Sequence, residues 1–283
     1  MFLGDDYVLR VPKDFEARAH QAYRESCAIP AARAAGVRTP ELVVYTDCCN
    51  ILGGLPYLIT KRVKNDGGKP GVDFESLGLD PQESPGVWRE LGRDLARLHK
   101  GEITIEDPIW VKLYSPPELA EVIRAAEQCA SGGFLSSLEA RWFQRWLEHL
   151  APMIPSSVEL SFVHADVQMS NVMVDPGSFS YLALIDWGCA LRADAAVDFL
   201  STPLSAVPSL LAGHRDLALL EQDDTAEARI LYRRIGLLLS DMPNGTDPQC
   251  SWARRPIARL TDLMRFFQGP LDGRWRDLAP PPV

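Results

Sequence analysis

The chain is poor in several features that would otherwise steer its reading. Its six cysteines (Cys27, Cys48, Cys49, Cys129, Cys189 and Cys250) form no C-x-x-C pair and no Cys/His cluster spaced for zinc. The vicinal Cys48-Cys49 reads as two small strand or loop residues, and the usage as a whole fits a reducing cytoplasm. Every apolar run is interrupted within a few residues, too short for a transmembrane helix. The start, Met1-Phe-Leu-Gly-Asp-Asp6, has neither a basic n-region nor a long apolar h-region, so no secretory signal is expected. Positive charge is scarce: 29 Lys and Arg face 38 Asp and Glu, for a net charge of −9. That excludes non-specific binding to nucleic acid or anionic membranes, is compatible with a cationic small molecule, and is equally compatible with plain solubility. No G-x-G-x-x-G and no Walker A motif is present; Gly67-Gly-Lys-Pro70 lacks both the spacing and the Ser/Thr. There is no internal repeat.

What is there is ordinary in bulk. The chain has 283 residues, 46% hydrophobic and 24% charged, enough for a sizeable core in one large or two small domains. Tyr7–Val11 reads as a short strand closed by Pro12. Residues 13–35 read as a helix that Pro30 breaks or kinks. Glu41–Tyr45 and Leu55–Thr60 read as strands, and the Gly-rich connector Lys64–Gly71 as a domain boundary. Ser84-Pro85 opens a helix through Trp88, Leu91, Leu95 and Leu98. Ser115-Pro-Pro-Glu118 and Ser136-Ser-Leu-Glu139 are capping boxes, the second opening a helix over 137–150. Val172–Ile185 reads as a hairpin around Asp175-Pro-Gly177. Residues 197–268 look mostly helical, with Asp224-Thr-Ala-Glu227 capping a long helix, and the tail from Gly269 is expected to lie loosely on the surface.

The chemistry concentrates in His164-Ala-Asp166-Val-Gln-Met-Ser-Asn171 and Ile185-Asp186-Trp187-Gly188. A hairpin returns its ends to one place, so Asn171 and Asp186 can face the same metal ions, and Asp166 approaches from the loop entering the hairpin. One Asp and one Asn amide suffice for Mg²⁺, which keeps waters and phosphate oxygens as its other ligands. Asp166 is then placed to orient an acceptor hydroxyl and accept its proton. Together these are the parts that phosphoryl transfer from a nucleotide requires.

On these residues the chain resembles the aminoglycoside phosphotransferase and choline kinase family, over about residues 3 to 205. The resemblance implies an α+β, protein-kinase-like two-lobed fold: a shortened, β-rich N-terminal lobe over 1–63 and a mainly helical C-terminal lobe over 64–283. It implies Asp166 as the catalytic residue, Asn171 and Asp186 as Mg²⁺ ligands, and His164 as a structural loop residue. Asp198, in Asp194-Ala-Ala-Val-Asp198, would tie the catalytic loop to a buried helix, although Ala193 and Ala195 replace the family's Gly and Pro. Trp187 stands where protein kinases have Phe. Arg10, in place of the kinase Lys, would reach the nucleotide phosphates and pair with Glu25. Lys61 and Val63 resemble the hinge whose backbone binds adenine.

The implied activity is transfer of the γ-phosphate of ATP or GTP to a hydroxyl of a small molecule, with Mg²⁺ and without nucleic-acid or membrane partners. Alternatives are a non-catalytic kinase-like binding protein and a metabolic kinase for choline, ethanolamine, homoserine or a sugar. Only six residues precede Tyr7, so the two strands that carry the family's nucleotide-covering loop are not complete, and weak nucleotide binding is expected. The acidic group Glu221, Asp223, Asp224 and Glu227 reads either as a site for a cationic substrate or as acids complementing a helix dipole. His99 reads as packed, and His20, His149 and His214 as surface residues. Trp142 and Trp146, four apart on one helix, read as a core face.

Overall fold

The computed structural model describes residues 1–12, 15–47, 52, 54–103, 117–217, 223–244 and 255–282. Cys48, Cys49, Cys250, Ser115 and Glu221 lie outside them.

The N-terminal part is one antiparallel sheet with a helix against it. Strands β1 (Phe2–Leu3), β2 (Tyr7–Arg10), β3 (Leu42–Thr46) and β4 (Tyr57–Lys61) lie in the order β1-β2-β4-β3, with Val8 opposite Thr60 and Arg10 opposite Leu58. Helix α1 (Phe15–Ala34) runs on through Pro30. The expected break does not occur because Ala28, Ile29 and Ala32 are fully buried around it, and that packing outweighs one lost backbone bond. The Gly-rich connector folds back on itself, Asn65 N–H donating to Lys69 O and Gly71 N–H to Val63 O. Its Lys64 reaches Asp6 (2.5 Å) and its Asn65 reaches Asp175 (3.2 Å), so it touches both the first sheet and the later hairpin.

Beyond it, β5 (Val72–Asp73) pairs with β7 (Val172–Val174), which forms the expected hairpin with β8 (Tyr181–Leu184). A second ribbon joins β6 (Leu160–Val163) and β9 (Leu191–Asp194). Around these pack α2 (Pro85–Lys100), α3 (Leu119–Ser131), α4 (Ser137–Leu150), α5 (Val207–Arg215), α6 (Ala226–Asp241) and α7 (Pro256–Gln268). Trp88, Leu91, Leu95 and Leu98 form the buried stripe of α2, as their spacing dictates. The Ser136–Glu139 capping box is present, each side chain accepting from the other residue's N–H. Ser84 precedes its helix as expected but does not cap it, and Thr225, not the expected Asp224, stands before α6, also without capping it; Asp80 and Asp223 make the local turns instead, accepting from Gln82 N–H and Thr225 N–H. At α3 it is Glu121 that reaches back, to Glu118 N–H.

The tail is not loose. A short helix α8 (Arg274–Asp277) buries Trp275 against Phe266. The indole N–H groups of Trp142 and Trp146 donate to Pro281 O (3.0 Å) and Leu278 O (2.9 Å). The tryptophan pair is thus the core face expected of it, and it also anchors the C-terminal segment. Indole donors inside a helix core need acceptors, and the tail supplies them.

Candidate active site

Strand β6 delivers the chain into the loop that starts at His164. The loop is strained at one point: Ala165 has φ 63°, a left-handed conformation that costs an L-residue about 1–2 kcal/mol. What holds it there is Asp198, fully buried, whose carboxylate accepts His164 N–H (3.1 Å) and Ala165 N–H (2.6 Å). Asp198 also accepts from His99 Nε2 (2.8 Å), and the hydroxyl of Thr202 donates to Val167 O (2.7 Å). The loop is therefore pinned at both ends from the segment after β9, and Asp198 has the tying position expected of it. Beside Ala195, Asp194 accepts Ala196 N–H (2.9 Å).

His164 is buried and couples this loop to the far end of the hairpin. Its Nε2 donates to Ile185 O (3.0 Å), its Nδ1 accepts from Asp166 N–H (3.2 Å), and its ring stands edge-on to Trp187. The sequence placed it as scaffold, and the geometry agrees.

Asp166, Asn171 and Asp186 are brought together as the hairpin argument requires. Ile185 N–H donates to Asn171 O (3.0 Å), which closes the hairpin base and sets Asp186 beside Asn171. Asn171 is buried; its Nδ2 donates to Asp166 O (2.9 Å) and to Asp166 Oδ2 (3.2 Å). That fixes the amide so that its Oδ1 is the atom left to face a cation. Gln168 also donates to Asp166 Oδ2 (3.1 Å), so two amides orient one carboxylate oxygen. Gln168 was not singled out from the sequence. Its only signal was being an amide two residues past Asp166 on a tight loop.

Asp186 sits at φ 68°, turned out of the strand direction and still substantially exposed. Its backbone is set by neighbours on both sides. Leu184 N–H donates to Arg38 O (2.9 Å), and Trp187 Nε1 donates to Thr39 Oγ1 (2.8 Å). Arg38 is itself held by Asp94 and Glu90 of α2. Gly188 lets α1 approach: a Cβ there would meet Gln21 Cβ at 3.1 Å.

Arg10 and Glu25 are partners, at 2.5 Å, and Arg10 also reaches Asp186 at 2.9 Å. Burial pushes the Glu25 carboxyl up to about 7, against the opposing pull of the Arg10 guanidinium and of Trp187 N–H. These groups, with Gln21, Ala22 and Leu58, line a cavity of about 150 Å³. Lys61 is not among them. Its ammonium is exposed and bonded to Glu41 (2.8 Å), and Val63 O is occupied by Gly71 N–H. The side chains of the suggested hinge are therefore not brought to the cavity.

Oxygen ligands from one carboxylate and one amide match what Mg²⁺ takes when phosphates complete its shell. Among the described residues no group of three or more His, Cys, Asp or Glu could hold a metal alone, so a closed protein cage is not what this site offers. Asn171 and Asp186 fit the shared arrangement.

The acidic group near α6 resolves into ion pairs. Asp223 holds Arg229 (2.6 Å), Asp224 holds Arg274, and Glu227 holds Arg215 through both oxygens (2.8 and 2.9 Å). Among the described residues the cluster leaves no unpaired carboxylate for a cationic substrate. His214, expected at the surface, is 1% exposed, with its Nε2 2.8 Å from His99 Nδ1. Burial, His99 and Arg215 together hold its imidazole down to about 2. The apolar packing of α5 against α2, invisible in a local reading, is what takes it inside.

The profile of the phosphotransferase enzyme family, APH, matches residues 2–213. Among solved structures, the GDP complex of aminoglycoside 2'-phosphotransferase-IIIa superposes with TM-score 0.60 at 15% identity, covering 92% of this chain and 87% of that one. A choline/ethanolamine kinase family protein from Mesorhizobium loti gives TM-score 0.56 at 16% identity, covering 98% and 87%. The streptomycin–ATP ternary complex of APH(2'')-IIa gives 0.53 at 16%, covering 94% and 86%. These likenesses establish a shared kinase-like fold. Acyl-CoA dehydrogenase family member 10 of Mus musculus is 24% identical over 220 residues, which are 70% of this chain but 18% of that protein. The matched segment runs from β1 through the His164–Asn171 loop and the hairpin to α5, and on that basis the chain belongs to the phosphotransferase enzyme family.

Proposed function

We propose that this chain moves the γ-phosphate of ATP or GTP to a hydroxyl group of a small molecule, with Asp166 as the base. The observation that supports it most is the tether of Asp166 to Asn171 at one end of a hairpin whose other end presents Asp186. Asn171 Oδ1 and the Asp186 carboxylate would hold Mg²⁺, which supplies positive charge against the triphosphate.

Asp166 Oδ2 accepts from two amide donors, which orient the carboxylate that would meet the acceptor hydroxyl. The hydroxyl oxygen forms a bond to the γ-phosphorus as the bond to the β–γ bridging oxygen breaks. The hydroxyl proton passes to Asp166, and the nucleoside diphosphate leaves. Arg10 has two arms, so one guanidinium serves both Glu25 and a phosphate, and nucleotide entry exchanges its contact with Asp186 for one with phosphate oxygen. The acceptor would enter a cavity of about 510 Å³ that Met169 of the same loop lines together with Ser205, Asp262 and Arg265. Asp262 is bound by Arg234 and Leu204 N–H, while Asp80, which lines the same cavity, is half-exposed with Arg265 at 3.8 Å. Cytoplasmic residence fits a nucleotide co-substrate; among the described residues no helix is long and apolar enough to cross a membrane.

The test is a screen for phosphate transfer from Mg-ATP and Mg-GTP to hydroxylated amines, aminoglycosides, sugars and polyols. Transfer by the native chain that Asp166→Asn abolishes, with the fold intact, supports the proposal; transfer that survives Asp166→Asn removes Asp166 as the base. A second reading, a kinase-like binding protein without turnover, draws on the Arg10–Asp186 contact, which neutralises a phosphate ligand with a metal ligand. It predicts nucleotide binding that is indifferent to Mg²⁺.

A further inference from the structure

Helices α2 and α5 meet with their backbones in contact. A Cβ built on Gly92 would lie 2.0 Å from Leu210 O, and one on Gly213 would lie 1.9 Å from Arg89 O. Only glycine fits at either position, although each sits in a helix interior that disfavours it. Arg89 and Arg93 of α2 then clamp Asp216 at the end of α5. The consequence is that His99 and His214 are set ring to ring, Nδ1 to Nε2 at 2.8 Å, both buried.

This pair leads to the catalytic loop. His99 Nε2 donates to Asp198, and Asp198 accepts the two peptide N–H groups of His164 and Ala165. Among the described residues no arginine or lysine pairs with Asp198, so His99 is the side chain that faces this buried carboxylate. A buried carboxylate that loses a donor reorients toward whatever donor remains. Here it would turn away from the geometry that keeps Ala165 in its left-handed conformation.

We propose that His214 is a positioning residue for phosphoryl transfer, holding the His99 ring so that Asp198 keeps the loop that carries Asp166 in its working shape. The proposal rests on the reading of Asp166 given above. His214 touches no substrate. Because its ring stays uncharged while buried, its Nε2 serves His99 as a hydrogen-bond partner and not as a second positive charge. Without that partner, His99 Nδ1 is left buried and unpaired, and the ring no longer has one preferred orientation.

The test compares His214→Leu, which removes the ring nitrogens, with His214→Gln, whose amide reaches about as far as Nε2. Three quantities are read on the full chain: hydrogen exchange of the peptide spanning Val163–Val167, phosphate release from Mg-ATP, and Mg-ATP affinity by calorimetry. His214→Leu should raise exchange in that peptide and lower the release rate, each by about tenfold or more, with affinity within about twofold. Exchange in α4 should not change, and His214→Gln should recover most of both effects. Unchanged loop exchange in His214→Leu overturns the proposal. So does a rise spread evenly over the chain, or no recovery in His214→Gln, because either marks a packing role only. Asp166→Asn is run alongside: survival of phosphate release there would overturn the base assignment, while the loop-exchange result stands independently.

Discussion

Arg10 donates to Asp186 at 2.9 Å with the same guanidinium that holds Glu25 at 2.5 Å. The residue expected to bind phosphate and the residue expected to bind metal are therefore joined, and the buried Glu25 depends on the same cation.

Arg10→Ala should weaken Mg-nucleotide affinity by about tenfold, or about 1.4 kcal/mol, measured by calorimetry. It should also destabilise the fold, more at alkaline than at acidic pH. Glu25 is held up to about 7, above its ordinary 4.5, so the folded state binds its proton more tightly than the unfolded state. Its contribution to stability is complete below the unfolded value and is lost as pH rises through about 7. Above that range an ionised Glu25 without Arg10 is a buried charge with no counter-ion, costing about 3 kcal/mol. Urea unfolding on both sides of neutrality gives the comparison.

Gly92→Ala and Gly213→Ala should each destabilise by about 3 kcal/mol, because the added methyl meets a backbone carbonyl and not a side chain that can swing aside. Thermal melts suffice to measure it. A loss no larger than that of an ordinary helix substitution would mean that α2 and α5 can part without cost.

Ala165→Gly should do the opposite and stabilise by about 1 kcal/mol, since glycine adopts the left-handed conformation that alanine holds under strain. Denaturant midpoints at constant m-value would show it.

His214 makes the fold sensitive to acid. Its imidazole is held down to about 2 when folded, against an ordinary 6.5, so the unfolded state binds more protons between those values. The associated stability is fully present above the unfolded value and is lost as pH falls below it. The loss is about 2 kcal/mol by 1.5 pH units lower. His214→Gln should lose less stability than the native chain over the same acid interval in paired urea titrations.

Trp275→Ala should cost about 3 kcal/mol, because the C-terminal segment docks through that ring as well as through the carbonyls accepting from Trp142 and Trp146. Circular dichroism melts would show a lower Tm; an unchanged Tm would mean that the docked tail contributes nothing to the fold.

Much of the site could be read from the chain because its parts are close in sequence. His164 to Asn171 is one loop, and Asn171 and Asp186 are the two ends of one hairpin, so local turn chemistry alone sets them side by side. The Arg10–Glu25 pair was legible through the family resemblance of its strand and helix, and the two side chains do meet. The stripe of α2 and the Ser136 capping box follow from residue spacing.

Short-range backbone geometry and side-chain periodicity thus set the local apparatus: the loop from His164 to Asn171, the hairpin and the amphipathic faces of the helices. Tertiary structure alone decided the rest. It carried His214 inside against His99, turned Lys61 out to Glu41, paired the acids near α6 with arginines, and folded the tail onto Trp142 and Trp146. Each of these depends on which distant element comes to lie alongside. Burial, hydrogen bonding and ion pairing between separate elements are set by how strands and helices pack, and no local run of residues records that.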